Sequence, residues 1–174
     1  LTQAVPIDPE KLIKAAKEFA EHQGGQGRPR PVLLRQAVSA AYYALFHRLS
    51  RDAAEHLLPN GSNEDKLRLA RTFGHKALKD ACAQIAGRQG KIHKHVKALI
   101  EALRETSIEG VAASFCDLQE ARHRADYDHL APISKPLAIG HIEDARKAIA
   151  TLEAVDPADR QAFFAVLAMG TRLN

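Results

Sequence analysis

The chain has 174 residues, 45% hydrophobic and 26% charged, a balance that supports a packed core and excludes wholesale disorder. Its length suits one domain, residues 1–174, since single cores commonly occupy roughly 100–200 residues. No apolar run approaches the ~20 residues that span a bilayer, and no basic stretch followed by a long apolar one opens the chain. A soluble, cytoplasmic protein with no membrane partner is therefore expected.

The net charge of +4 and the isoelectric point near 9.2 favour polyanionic partners without choosing among them. Cys82 and Cys116 lack close Cys or His partners at metal-site spacing and read as two reduced, half-buried thiols. No metal or cofactor site is expected from them.

Nearly every long segment repeats apolar residues three or four apart, and no period-two run rich in β-branched residues occurs, so the expected class is an all-α antiparallel bundle of six or seven helices. Asp8-Pro9 opens the first helix, which carries Leu12, Ile13, Ala16, Phe19 and Ala20 on one face and ends near Gln23. A Gly/Pro/Arg-rich loop spans Gly24 to Pro31. A long helix then runs to Leu57 with a stripe of Leu34, Val38, Ala41, Leu45 and Leu49, and should be central.

Pro59-Asn60-Gly61 breaks that helix, and Ser62 or Asn63 caps the next, with a kink expected at Gly74 before the pattern resumes from His75 to Ala86. Ile92 to Leu103 reads as another helix. Ser107 is the expected cap of a long helix through Arg122 that stops before Pro132, because the residue preceding a proline is pushed out of the α region. Pro132 to Pro136 reads as a connector and Ile139 to Leu152 as a helix. Asp156-Pro157 repeats the opening cap signature and starts a C-terminal helical addition over 156–170.

The segment Arg122-His123-Arg124-Ala125-Asp126-Tyr127-Asp128-His129 carries the densest chemistry. On a helix continuing through it, seven steps of about 100° bring His129 to within about 20° of the direction of Arg122, whereas Arg124 and His129 diverge by about 140°. Arginine presents a planar charged donor array to a phosphate, and histidine exchanges protons near neutral pH. Together they suit RNA cleavage without metal: a base takes the ribose 2′-hydroxyl proton, an acid protonates the leaving 5′-oxygen, and a cation stabilises the phosphorane. The same spacing also arises on an ordinary solvated helix face.

Asp126, four residues after Arg122 and three before His129, either pairs with the guanidinium or orients the imidazole. Tyr127 either stacks on a base or packs on the bundle, and Tyr42, Tyr43 and Phe46 read as core. His47 either points toward the cleft or is bonded within the bundle. His93 and His95 diverge by about 200° on a helix and do not make a metal site. The basic cluster Arg88, Lys91, His93, Lys94 and Lys97 reads as a solvated face or as contacts to RNA phosphates. No phosphate-cradling loop, nucleophile elbow or zinc-protease motif occurs.

The stretch Ala37-Val38-Ser39-Ala40-Ala41-Tyr42-Tyr43-Ala44-Leu45-Phe46-His47, followed far downstream by Arg122-His123-Arg124-Ala125-Asp126-Tyr127-Asp128, resembles the HEPN family over roughly residues 8–155. That family is known for helical bundles bearing an Arg, four to six variable residues and a His, with a polar residue often following the Arg. Arg122, His123 and His129 match the six-residue form; Arg124 with His129 matches the four-residue form but is followed by apolar Ala125. The Ala-Asp-Tyr triplet is most like a prokaryotic subgroup in which the final His is often replaced, and here it is present.

The resemblance implies a metal-independent endoribonuclease acting as a homodimer, often a toxin paired with a nucleotidyltransferase-like antitoxin. It assigns Arg122, His129 and Asp126 to catalysis, with His123, Arg124, Tyr127 and His47 as candidates for contacting RNA. A non-catalytic HEPN module that binds nucleotide, RNA or a protein partner is the alternative, and a structural bundle with an accidental Arg-His pair is the plainest one.

Overall fold

A computed structural model describes residues 7–22, 30–88 and 96–170. The described residues form eight helices and no strand: α1 (Pro9–Glu21), α2 (Pro31–Leu57), α3 (Asn63–Ala70), α4 (His75–Ile85), α5 (Lys97–Arg104), α6 (Ile108–Tyr127), α7 (Lys135–Ala154) and α8 (Pro157–Gly170). The readings made for 23–29 and 89–95, including His93 and His95, fall outside the described residues.

Local chemistry accounts for most of the boundaries. The carboxylate of Asp8 accepts from the Glu10 amide at 3.0 Å with Pro9 in the first turn, and Asp156 accepts from the Ala158 amide at 2.8 Å ahead of α8. The expected kink at Gly74 is a complete break. The Thr72 hydroxyl donates to the Leu69 carbonyl at 2.7 Å, Phe73 turns into the core, and Gly74 is extended ahead of α4, so one kinked helix becomes two. At α6 the capping oxygen belongs to Thr106, whose hydroxyl accepts from the Ile108 amide at 3.2 Å, while the Ser107 side chain caps nothing. Helix α7 begins four residues before the expected Ile139: Ser134 accepts from the Leu137 amide at 3.3 Å, and Pro136 is accommodated because first-turn amides have no helical acceptor.

Helix α2 is the hub and packs against α1, α3, α6, α7 and α8. Leu34, Val38, Ala41, Leu45 and Leu49 of its expected stripe are all buried, and Ala37, Ala40 and Ala44 are buried beside them. Small side chains on this second surface let neighbouring helices approach closely. A fully buried leucine such as Leu45 contributes about 1.5–3 kcal/mol. Helix α8 packs on α4, α2 and α5 through Phe163 and Leu167, both inaccessible to solvent, and joins the same core.

Cys82 and Cys116 are free and buried, more deeply than expected from sequence. Burial pushes the Cys116 thiol up to about 11 and Cys82 in the same direction, so both remain protonated. No described helix is long and apolar enough to cross a membrane.

The end of α6 is held from outside. Arg35 on α2 donates through Nη1 to the carbonyls of Ala125 (2.8 Å), Asp128 (2.9 Å) and Arg124 (3.4 Å), and through Nη2 to those of Ala131 (2.8 Å) and His129 (3.4 Å). The last carbonyls of a helix have no intrahelical donor and carry partial negative charge, so a guanidinium placed there both satisfies and neutralises them. Asp128 finishes the turn, accepting from the amides of Leu130 and Ala131. Arg35→Ala is expected to lower unfolding free energy in urea by about 1–3 kcal/mol. It should also speed hydrogen exchange at the Asp128 and Ala131 amides; unchanged exchange there would mean that Arg35 does not hold the turn.

Candidate active site

Helix α6 delivers Arg122, His123 and Asp126 on its last turns, and α2 supplies the surface they meet. The Arg122 Nε lies 2.6 Å from Asp126 Oδ2, one turn on, and its Nη2 donates to the Tyr43 hydroxyl at 3.1 Å. Asp126 also accepts from the Ser39 hydroxyl at 2.5 Å. An isolated surface pair of this spacing contributes only a few tenths of a kcal/mol. Here each partner has a second tether to α2, so the pair is held in one geometry. Of the two roles open to Asp126, pairing with the guanidinium is the one formed.

The guanidinium carbon sits 5.5 Å from the centre of the Tyr43 ring and 5.6 Å from that of Tyr127, within cation–π range of both. The side chain keeps 21% of its exposure, and Nη1 makes no hydrogen bond with the described residues. Burial works against the charge on Arg122, but Tyr43 and Asp126 outweigh it and its pKa is raised. The result is a permanent, part-exposed cation held by its ion pair with Asp126 and its hydrogen bond to Tyr43.

Behind Tyr43 lies a second group of rings. His75 opens α4 and stacks on Phe46 with centroids 4.0 Å apart, and its Nδ1 is 2.6 Å from the hydroxyl of the fully buried Tyr42. Gln119 of α6 donates to the His75 carbonyl at 3.4 Å. His47 stacks on Tyr43 at 6.1 Å and meets Phe46 edge-on at 5.2 Å. Burial lowers the pKa of both imidazoles; the Arg122 charge adds to this at His75, and His75 and Arg51 add to it at His47. Both rings are therefore neutral at pH 7. His47 thus makes ring contacts where a hydrogen bond within the bundle was the expected alternative, and it also lines a cleft beside Tyr43.

His129 departs from its expected place. Helix α6 ends at Tyr127, Asp128 is extended (φ −95°, ψ 96°), and His129 lies in the following turn. The helical relation between Arg122 and His129 therefore does not apply, because Arg35 and Asp128 divert the chain before the seventh step. The imidazole is exposed and makes no hydrogen bond, ion pair or ring contact with the described residues. His123 packs on Tyr127 at 5.0 Å and both are exposed, while Arg124 is exposed and contributes its carbonyl to Arg35. Among the described residues, no group of three His, Cys, Asp or Glu side chains is placed to hold a metal ion.

Arg35, Ser39, Tyr43 and His75 were not among the expected site residues. The first three had a legible signal: Arg35, Ser39, Tyr43, His47 and Arg51 recur every four residues along α2, a ridge of polar and aromatic side chains beside its apolar stripe. His75 had none, because its position depends on how α4 returns to α2. Comparison with family models, characterised proteins and solved structures finds no match for this chain.

The histidines set a pH dependence. With folded-state values depressed, the unfolded chain binds protons more readily; the stability contributed is full above the ordinary value of about 6.5 and is lost as pH falls toward the folded-state values. His141 shifts in the same direction through burial. The urea midpoint should therefore fall between pH 7.5 and 6.0, and His47→Gln/His75→Gln should flatten that slope. An undiminished slope in the double variant would place its origin elsewhere.

Proposed function

We propose that this chain is a metal-independent endoribonuclease of the HEPN type. The observation that carries the reading is Arg122: a part-exposed guanidinium paired with Asp126, which Ser39 holds in turn, and bonded to Tyr43, with an Nη1 that has no hydrogen bond with the described residues. A preorganised cation of this kind stabilises developing charge on a phosphorane without reorganising during the reaction. In the reaction the 2′-hydroxyl oxygen attacks the adjacent phosphorus as a base takes its proton. The P–O5′ bond then breaks as an acid protonates the leaving oxygen, which gives a 2′,3′-cyclic phosphate and a 5′-hydroxyl.

His129, exposed in the turn that Arg35 anchors after the end of α6, is assigned the proton transfer nearest solvent. An exposed imidazole without an intramolecular partner is free to meet substrate. His123 and Tyr127 lie beside Arg122 as contacts to the strand, with the Tyr127 ring available for stacking, and exposed Arg124, further round the same helix, is a further candidate contact. By the resemblance to the HEPN family, the enzyme works as a homodimer in a toxin or defence setting, with a nucleotidyltransferase-like antitoxin as partner.

A second reading, a non-catalytic module that binds RNA, nucleotide or protein on the same face, is favoured by one observation: nothing among the described residues orients His129. The two separate by turnover. Purified protein is expected to cleave single-stranded RNA in excess EDTA and leave cyclic phosphate ends. Arg122→Ala and His129→Ala should each reduce the rate about 10²-fold or more. RNA binding without cleavage supports the module, and full activity in His129→Ala removes that residue from the mechanism.

A further inference from the structure

The four-residue ridge of α2 does not stop at Tyr43. It continues through His47 to Arg51, and these two side chains enter a cleft of about 430 Å³ between α2, α3 and the start of α4. Arg71 and His75 face them from the other wall, and Phe46, Leu67, Ala70 and Phe73 supply an apolar lining. Among the described residues, no Asp or Glu lines the cleft.

The two arginines differ from most of the cations around them. Arg48, Arg68, Arg88, Arg122 and Arg146 all pair with carboxylates, and Arg35 and Arg104 are bound to backbone carbonyls. Arg51 and Arg71 have no side-chain hydrogen bond or ion pair among the described residues. Two guanidiniums that line one concave space, neither in an ion pair with a carboxylate among the described residues, are disposed for an anion. The amides opening α4 add to this: Gly74 provides no side-chain cap. The apolar half of the wall is unsuited to a bare inorganic ion and suits one carrying a flat, partly apolar group.

We propose that this cleft is a binding subsite for an RNA nucleotide flanking the scissile phosphate, with Arg51 and Arg71 holding its phosphate and Leu67, Ala70 and Phe73 receiving its base. The assignment rests on the reading of Arg122 as the phosphate-activating group. Tyr43 joins the two sites, since its hydroxyl meets Arg122 while its ring meets both His47 and His75. From Tyr43 to Arg51 the helix rises about 12 Å, so one strand can reach both. His47 and His75, lying between, donate or accept hydrogen bonds without adding charge to the cleft. The subsite would make affinity depend on nucleotides beyond the one that is cut.

Binding is measured apart from cleavage by using the Arg122→Ala protein with a fluorescein-labelled ten-nucleotide oligoadenylate, and separately with AMP. Arg51→Gln/Arg71→Gln on that background is expected to weaken oligonucleotide binding at least tenfold. Arg51→Lys/Arg71→Lys should recover part of the loss, and AMP should bind much more weakly than the strand. The imidazole resonances of His47 and His75 should shift on oligonucleotide addition, a change that a merely structural role for the arginines would not produce. Oligonucleotide affinity within twofold of the parent in the Gln variant overturns the proposal, as does AMP binding as tightly as the strand, which would make the cleft a free-nucleotide site. Failure of the parent protein to cleave RNA, with arginine-dependent binding intact, would count against the nuclease reading while leaving the cleft's ligand class in place.

Discussion

The last turn of α6 would fray or continue if nothing met its carbonyls, and what meets them is one side chain from another helix. Arg35 spreads its guanidinium over five carbonyls between Arg124 and Ala131. Two consequences follow for the site. Arg122 and Asp126 remain on a well-formed helix, one turn apart and in register with Ser39 and Tyr43. His129 is turned off that helix into solvent. The arrangement of cation and imidazole is thus set by a backbone-capping contact that itself takes no part in chemistry.

The same helix that carries Arg35 organises everything beside it. α2 is buried on several sides because its alanines admit α1, α6 and α7, and the ridge from Arg35 to Arg51 is only partly covered by that packing. Along that ridge the chain places, in order, a cap for α6, a hydroxyl for Asp126, a phenol for Arg122, a neutral imidazole and a guanidinium in the wall of the cleft. The partial burial that keeps His47 and His75 neutral also strengthens the fields near them. A fixed cation and two uncharged imidazoles therefore coexist within one aromatic cluster, where full exposure would have made the imidazoles ordinary titrating groups.

Much of the fold was legible because it is encoded by neighbours in sequence. Asp8-Pro9, Ser62 and Asp156-Pro157 act on amides two or three residues away, and the apolar stripe of α2 is a direct reading of helical period. Ser107 and Pro136 were misread for an equally local reason: Thr106 competes as a cap with better geometry, and a proline in a first turn costs nothing. The pairing of Arg122 with Asp126 was likewise visible as a four-residue spacing. What the spacing could not show was its second set of tethers, because Ser39 and Tyr43 lie 87 and 79 residues away in the chain.

The sequence by itself determined that this is an all-α protein, where most of its helices begin and end, and which segment concentrates arginine, histidine and aspartate. Those properties follow from hydrogen bonds and periodicities that span a few residues. Only the tertiary structure decided that α6 stops before His129, that His75 joins the site while resting against Tyr42 and Phe46, and that Arg51 and Arg71 share a cleft that no carboxylate among the described residues lines. Each of these depends on a side chain of α2 meeting a distant element, and helical period carries no information about which elements meet.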